Sequence, residues 1–441
     1  LLMIHKQLFS IRRTHYLSMI PPRCELVLTE VTLPGGRVAD LSISDGIVVH
    51  TGSPCPSDQL ILCRGLTVLP GAIDMHVHMR GRVQSGKEDW KSGSMSAIAG
   101  GVTIVVDQPN TIPPLITRET FRERILEAAR DSVCSYAING GVLPRTNLAA
   151  LWGAGAMAFG EIFAAPSSYG ESLDAPALKA SLETIGRLGG LATIHAEEAM
   201  PGSPSDLATH NRLRGPAGET RAVRLIAGWQ HSCHIHFCHL STASAVAAAG
   251  SASVEVTPHH LYLSYEQAEE TDTSCKVNPP LRTETERRRL WSAWEQIDVI
   301  ASDHAPHTMQ EKSVPFPDAP SGIPGVETML PLLVASLVKG DIDRATLIAK
   351  TSWRPSEILG IQRAGYSPGD RADFALFGSQ CTRITAETLH SRAGWTPFEG
   401  YPAVFPDMVI QSGKIAYDSG DFYPASPRWY PGRGYIGGGP T

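Results

Sequence analysis

The sequence predicts an α/β fold in which a (β/α)8 barrel of the TIM type carries a small β-sandwich domain built from both chain ends. The first observation behind this prediction is that eight strand-like apolar runs alternate with helix-like stretches between residues 71 and 368. The second is that β-rich segments with Gly and Pro turns flank this region, at residues 19–70 and 369–420. A length of 441 residues accommodates one large and one small domain.

The two chain termini fit neither predicted domain. Residues 1–18 begin with Leu1 and mix basic with apolar residues, without the clean apolar centre and small-residue cleavage site of a signal peptide. We expect this segment to be a non-native or disordered extension, with Met19 as the natural first residue. Residues 421–441 are rich in Gly, Pro and Tyr, which favours a mobile tail, with a strap over a neighbouring subunit as the alternative.

The barrel prediction depends on the order of strands and helices in the middle of the chain. The eight predicted strands are GAIDMHVH, TIVVDQPN, SYAINGGV, AMAFGEIF, LATIHAE, IHFCHLS, SVEVTPHH and DVIASDHAPH. Helical stretches such as ETFRERILEAARD and PALKASLETIGRLGG lie between them. At least six of the strands end in or near His, Asp, Glu or Asn. Because the carboxyl ends of barrel strands surround the active site, these polar residues are expected to face one site.

Charge, hydropathy and cysteine spacing exclude several classes of protein. The net charge of -6 offers no basic surface for nucleic acid. No run of 18 apolar residues is present that would form a transmembrane helix. The eight cysteines are scattered without a CxxC pair. They therefore predict neither a disulfide framework nor a cysteine zinc site, and they favour a protein of the reducing cytoplasm.

Histidines and an aspartate at strand ends predict a metal site. His76 and His78 form an HxH pair on the first predicted strand, where alternation turns both side chains to one face. His195 ends the fifth strand, His239 the sixth and Asp303 the eighth. An HxH pair alone is usually a matter of packing or surface, and any single His or Asp can be a hydrogen-bonded structural residue. Five such residues at strand ends instead indicate ligands for a divalent ion such as zinc.

The motifs around these residues resemble those of the amidohydrolase superfamily and, within it, the dihydroorotases, most closely the archaeal-type class I members. The matching segments are PGAIDMHVHMR, GGVTIVVDQPNTIPP, TIHAEE, HFCHLST, VEVTPHHLYLS, NPPLR, and ASDHAPH followed by SGIPGVETMLPLL. They run in family order from about residue 70 to residue 332. The resemblance implies a barrel with a small β-sandwich, and the reversible zinc-dependent hydrolysis of (S)-dihydroorotate to N-carbamoyl-L-aspartate in pyrimidine biosynthesis.

The same resemblance implies a set of metal ligands. It assigns His76, His78 and Asp303 to a more buried Zn²⁺, and His195 and His239 to a second Zn²⁺. It also implies that Asp303 is a catalytic residue, which takes a proton from the attacking water and delivers it to the leaving nitrogen.

One position departs from the pattern of the family. Many members bridge their two metals with a carboxylated lysine after the fourth strand, and the matching residue in AMAFGEIF is Glu161. Glutamate offers a carboxylate on a shorter arm, so we expect Glu161 to be the bridging ligand. The alternatives are a site for one Zn²⁺ only, or a Glu161 that packs away from the metals.

Four further residues match positions that bind substrate in the family. Arg80 follows His78 by two positions, which directs it to the same face, and its guanidinium can bind a carboxylate. The resemblance assigns Arg80, Asn110 and His307 to the carboxylate of dihydroorotate, and Asn278 of NPPLR to the pyrimidine ring. The ordinary interpretations are a surface salt bridge for Arg80 and turn or loop roles for Asn110 and Asn278.

Two other functions fit parts of this pattern. A hydantoinase (dihydropyrimidinase) or an allantoinase shares the HxH pair and the final aspartate, and a non-catalytic dihydroorotase-like scaffold shares the fold. For the enzymes the expected ligand is a small molecule, without nucleic acid or membrane, whereas the scaffold would bind a partner enzyme. A homodimer and an association with aspartate carbamoyltransferase are both compatible with the resemblance.

Overall fold

The protein is described by a computed structural model that covers residues 23–164, 172–424 and 426–437. The predicted extension at residues 1–18 lies outside the described residues.

The amino-terminal flank forms the first of two added β-sheets. Its strands are β1 (Cys24–Thr32), β2 (Val38–Ser44), β3 (Ile47–Gly52), β4 (Ser57–Leu62) and β5 (Thr67–Pro70). The first four form one sheet in the order β3-β2-β1-β4, with β1 antiparallel to β2 and parallel to β4. Leu26, Leu28, Leu41 and Ile43 are buried in the main core, as expected for the inner face of a sandwich sheet.

The middle of the chain forms a closed barrel of parallel strands. Within the described ranges they are β6 (Ala72–Val77), β7 (Val102–Asp107), β8 (Ser135–Ile138), β9 (Phe159–Phe163), β10 (Leu191–His195), β11 (His234–Phe237), β12 (Ser253–Val256) and β13 (Val299–Ile300). Parallel pairing runs through β6-β7-β8 and through β9-β10-β11-β12-β13. Parallel bridges from Gly140 to Phe159 and from Val77 to His304 join the two groups. Each strand overlaps one of the predicted runs, so the predicted barrel is confirmed.

The strands stop earlier than the sequence pattern predicts, because the functional residues turn the backbone away. β11 ends at Phe237, before His239, and β13 ends at Ile300, before Asp303. Arg80, His239 and Asp303 have φ angles of 45°, 35° and 47°. A non-glycine residue in this left-handed region cannot continue a strand and costs on the order of 1–3 kcal/mol. Arg80, His239 and Asp303 therefore lie on tight turns at the carboxyl ends of the strands, whereas His76, Glu161 and His195 lie within the strands themselves.

Helices surround the barrel and connect its strands. They are α1 (Trp90–Ala99), α2 (Arg118–Asp131), α3 (Leu148–Ala154), α4 (Ala175–Leu188), α5 (Leu207–Leu213), α6 (Pro216–Ala227), α7 (Ala243–Ala248), α8 (Pro258–Tyr262), α9 (Glu284–Ser292), α10 (Met309–Lys312), α11 (Val326–Lys339), α12 (Arg344–Ile348) and α13 (Arg354–Leu359). The two helical stretches predicted from sequence are α2 and α4. Thr117 begins α2 with a capping box, and α4 buries Leu178, Leu182 and Ile185 at helical spacing. In the part of the chain that the structure describes, no helix is long and apolar enough to span a membrane.

The second added sheet combines both ends of the chain, as predicted. The carboxy-terminal strands are β14 (Phe374–Phe377), β15 (Thr382–Arg383), β16 (Pro402–Ala403), β17 (Pro406–Gln411), β18 (Lys414–Asp418) and β19 (Asp421–Phe422). The sheet order is β19-β18-β17-β14-β5, so a strand of the amino-terminal flank completes it. The domain limits at residues 70/71 and 368/369 stay a prediction.

The segment between β15 and β16 packs against the catalytic face of the barrel. The Trp395 indole N–H donates a hydrogen bond to the carbonyl of His307 over 2.7 Å. Ile384, Trp395 and Phe398 form a small apolar core with Leu281 and other residues of the barrel loops. Sequence reasoning assigned this segment to the sandwich region and gave no indication of its contact with the site.

The carboxy-terminal tail pairs with the barrel of its own chain. The Tyr136 N–H donates to the carbonyl of Arg428 over 2.9 Å, and the Tyr430 N–H donates to the carbonyl of Tyr136 over 2.8 Å. The Gly432 N–H donates to the carbonyl of Gly155 over 3.0 Å. The expectation of a mobile tail is therefore wrong for residues 426–437, because backbone hydrogen bonds fix them beside β8.

Candidate metal centre

Three predicted ligands converge where β6 meets the end of β13. Nε2 of His78 lies 3.2 Å from Oδ1 of Asp303, and Nε2 of His76 lies 3.5 Å from the same oxygen. The His78 N–H donates to the carbonyl of His304 over 2.8 Å, which holds the two strand ends together. One donor atom from each of His76, His78 and Asp303 lies within 4.8 Å of the others, close enough to share one ion.

Glu161 at the end of β9 connects this group to a second one. Its Oε1 lies 2.9 Å from Nδ1 of His195 and 2.8 Å from Nε2 of His239. Its Oε2 lies 3.6 Å from Nε2 of His76 and 3.9 Å from Nε2 of His78. The two carboxylate oxygens thus face the two halves of the cluster. The structure brings all six predicted ligand residues together.

The donor set fits a divalent cation. Nε2 of His76 is buried and has no hydrogen-bond partner among the described residues, although carboxylate oxygens lie on two sides of it. Burial opposes ionisation of Asp303 and Glu161, but the surrounding histidines hold the pKa of both carboxyls below its ordinary value. Ionised carboxylates beside imidazole nitrogens are the ligands expected of a zinc-type ion.

Sequence reasoning missed Glu255, a residue of β12 that contacts two of the predicted metal ligands. Its Oε1 lies 3.1 Å from Nδ1 of His76 and accepts from the backbone N–H of His239 over 3.0 Å. Its Oε2 lies 3.1 Å from Nε2 of His236. A carboxylate on the far ring nitrogen fixes the orientation and tautomer of a metal-binding histidine. The available signal was a charged residue between two valines in the buried strand β12.

Glu255→Gln is expected to lower the affinity for the divalent ion about 10- to 100-fold, because the amide cannot accept from His76, His236 and the His239 N–H at once. The measurement is chelator competition on the metal-free protein. Glu183→Gln on the exposed side of α4 is the matched control. An affinity for the ion equal to that of the wild type would contradict the role of Glu255.

Glu197 provides a similar contact for the second group. Its Oε2 lies 3.0 Å from Nε2 of His195 and also contacts the guanidinium of Arg214. Nδ1 of His195 is therefore the nitrogen that faces Glu161 and the cluster.

A cavity of about 170 Å³ opens directly above the cluster. All four predicted substrate-binding residues, Arg80, Asn110, Asn278 and His307, line it. The side-chain oxygens of Asn110 and Asn278 are buried without a hydrogen-bond partner within residues 23–164 and 172–424. Arg80 and Lys87 contribute positive charges to the lining, which also includes His78, Glu161, His195 and Asp303 of the metal-ligand cluster. The arrangement suits a small ligand with a carboxylate at one end.

Two buried lysines fix one wall of this cavity, and neither was foreseen from the sequence. The Lys312 ammonium donates to the carbonyls of Pro320 and Gly322 over 2.9 and 3.0 Å. The Lys276 ammonium donates to the carbonyls of Phe316 and Ala319, each over 2.7 Å. Burial lowers the pKa of Lys312 to about 7 and that of Lys276 to about 8. These hydrogen bonds fix the loop that places Pro320 and Gly322 in the lining of the cavity.

Comparison with known proteins agrees with this fold. The model of the amidohydrolase family matches residues 67–415, which is most of the chain. The chain belongs to the amidohydrolase family.

Curated relatives narrow the class further. The chain is 38% identical to the dihydroorotase of Halobacterium salinarum over 406 residues, which cover 89% of this chain and 96% of that protein. It is 38% identical to the dihydroorotase of Methanosarcina acetivorans over 416 residues, which cover 86% and 89%. It is 34% identical to the dihydroorotase of Pyrococcus furiosus over 349 residues, which cover 77% and 78%. Within the family, the chain therefore groups with the archaeal dihydroorotases, as the sequence resemblance predicts.

Solved structures share the architecture. The L-hydantoinase (dihydropyrimidinase) of Arthrobacter aurescens superimposes with a TM-score of 0.86 at 24% identity, covering 91% of this chain and 97% of that one. The dihydropyrimidinase of Brevibacillus agri gives a TM-score of 0.83 at 22% identity, covering 93% and 99%. At these identities the likeness shows the fold, a barrel with accompanying β-sheets.

Proposed function

We propose that this chain catalyses the reversible hydrolysis of (S)-dihydroorotate to N-carbamoyl-L-aspartate, with two Zn²⁺ ions at the candidate centre. The observation that carries the proposal is the cavity, which is lined both by residues of the metal-ligand cluster and by Arg80. A cyclic amide with a carboxylate substituent matches both features. The names of the curated relatives support the same substrate.

Different residues of the chain are proposed to bind the ions, to transfer the proton and to bind the substrate. The proposed ligands are His76, His78 and Asp303 for one ion, His195 and His239 for the other, and Glu161 between them. Ions bound here would lower the pKa of a water molecule and polarise the carbonyl that it attacks. Asp303 takes the proton of that water as the new C–O bond forms, and it delivers the proton to the ring nitrogen as the C–N bond breaks. Ring closure follows the same steps in reverse.

Other residues that line the cavity orient the substrate. Arg80, Asn110 and His307 are proposed to bind the carboxylate, and Asn278 the pyrimidine ring. The Arg80 Nε–H donates to the carbonyl of Pro306 over 3.3 Å, which directs the guanidinium along the loop after β13. The buried oxygen of Asn278 remains an acceptor for a ring N–H.

Arg80→Ala is expected to lower kcat/KM for dihydroorotate about 10- to 100-fold, mainly through KM, because a charge-assisted hydrogen bond to the substrate is lost. Steady-state kinetics measures this change in kcat/KM. Arg82→Ala is the matched control, since Arg82 lies two residues further on and pairs with Glu123 and Glu127 instead. Kinetics of Arg80→Ala that equal those of the wild type would refute the carboxylate contact.

A substrate panel tests the proposal as a whole. The Zn²⁺-loaded protein is assayed with dihydroorotate, dihydrouracil, hydantoin and allantoin. We expect turnover of dihydroorotate far above that of the rings that lack a carboxylate. Faster turnover of those rings, unchanged by Arg80→Ala, would define a hydantoinase-type enzyme instead. A folded chain that binds no metal and turns over none of them would favour the scaffold.

The proposal also covers the cellular location, the domains and the oligomeric state of the enzyme. We infer a cytoplasmic enzyme, with residues 71–368 as the catalytic barrel and residues 19–70 plus 369–420 as the β-sandwich domain. Light scattering of the purified chain, alone and mixed with aspartate carbamoyltransferase, distinguishes a monomer, a homodimer and a complex of the two enzymes.

A further inference from the structure

We infer that Lys87 is a specificity residue of the carboxylate-binding end, where its ammonium group adds a second positive charge to that of Arg80. The inference rests on the proposed function, because it assigns Lys87 to the recognition of the same substrate carboxylate. Lys87 lies in the loop between β6 and α1 and lines the cavity. The sequence motifs gave it no role.

The contacts of Lys87 form a closed triad with two residues from the loop after β13. Its Nζ lies 3.3 Å from Nδ1 of His307 and 2.8 Å from Oε1 of Glu311. Oε2 of Glu311 accepts from the Thr308 N–H over 3.2 Å and lies 3.3 Å from Nδ1 of His307. The backbone N–H of Lys87 donates to the carbonyl of Gln84 over 2.9 Å. Lys87 is thus held at both its backbone and its ammonium group.

These contacts place a positive charge in the lining of the cavity. Nδ1 of His307 lies 3.3 Å from both the Lys87 ammonium and Oε2 of Glu311, so the three side chains form one polar group. Burial, followed by the charges of Arg80, Lys87 and Lys312, holds the pKa of His307 far below its ordinary value, so the positive charges at this part of the lining are those of Arg80 and Lys87. Glu311 balances part of the Lys87 charge but does not itself line the cavity.

The triad explains how the site would select a ring that carries a carboxylate. A carboxylate beside Arg80 would also be attracted by the nearby Lys87 charge, whereas a ring without a carboxylate gains nothing from it. Loss of the Lys87 charge should therefore weaken binding of the carboxylate form selectively. A merely structural lysine would affect both kinds of ring alike.

The experiment compares Lys87→Met, Lys87→Arg and the control Lys91→Met, which removes an exposed lysine of α1. For Lys87→Met we expect KM for dihydroorotate and Kd for orotate to rise about 10-fold or more, with a smaller change in kcat and no change in the weaker binding of uracil. Lys87→Arg should recover part of the loss. Equal losses for orotate and uracil, or no change in either, would overturn the inference.

The binding measurements in this comparison do not depend on turnover. A selective loss of orotate binding in Lys87→Met by a chain that does not turn over dihydroorotate would support the role of Lys87 and refute the proposed substrate alone. Turnover of dihydroorotate with unchanged orotate binding in Lys87→Met would overturn the inference alone.

Discussion

Asp303→Asn is expected to reduce turnover of dihydroorotate about 10²- to 10⁴-fold while substrate binding persists. Asparagine keeps a side-chain oxygen near His76 and His78, so it can still face the ion, but it cannot take the proton of the attacking water. The carboxyl is ionised in the folded protein, because His76 and His78 overcome the effect of burial and hold its pKa below the ordinary value. The defect should therefore appear in kcat far more than in KM.

Steady-state kinetics and metal analysis of Asp303→Asn separate proton transfer from metal loss. If the variant retains its metal and loses turnover, the proton-transfer role stands. If turnover stays within a few-fold of the wild type, Asp303 is not the proton carrier. Asp341→Asn changes an exposed carboxylate that pairs with Lys339 and serves as the control.

Glu161→Gln is expected to lower the metal content from two ions to one per chain and to remove most of the activity. The two oxygens of Glu161 face different halves of the cluster, at 2.8 and 2.9 Å on one side and at 3.6 and 3.9 Å on the other. An amide offers one oxygen and no charge, so it cannot hold two cations together.

Elemental analysis of the purified variant measures this expectation, beside Glu198→Gln, which alters a surface carboxylate paired with Arg221. Two ions and full activity in Glu161→Gln would remove Glu161 from the ligand set. One ion in both the wild type and the variant would instead indicate a centre with a single metal.

Local sequence patterns were sufficient for the barrel and for the convergence of His76, His78, His195, His239 and Asp303, whereas Glu161 was found through the family resemblance. Apolar runs that end in His, Asp or Glu are informative, because the carboxyl ends of barrel strands meet at one place. Arg80 shows where this reasoning has its limit. Strand alternation was the reason for predicting that the Arg80 side chain faces the site. However, β6 ends at Val77, and Arg80 reaches the cavity from a turn in which its φ angle is 45°. The location was correct and the stated reason was wrong.

The partners that hold the site in place were beyond local reasoning. Glu255 and His76 are separated by 179 positions, and Lys87 and His307 by 220. No periodicity within one strand or helix connects residues at such distances. The prediction for the tail was wrong for a different reason. Its Gly, Pro and Tyr content indicates mobility, but the hydrogen bonds that fix it are made to backbone groups of Tyr136 and Gly155, far away in the sequence.

The most direct test of this account is the turnover of dihydroorotate by the purified chain reconstituted with Zn²⁺. Loss of ultraviolet absorbance follows ring opening, and its gain with N-carbamoyl-L-aspartate follows ring closure. We predict activity in both directions that a chelator abolishes and added Zn²⁺ restores. A folded, Zn²⁺-loaded chain without turnover in either direction, or turnover that persists after complete removal of metal, would contradict the account.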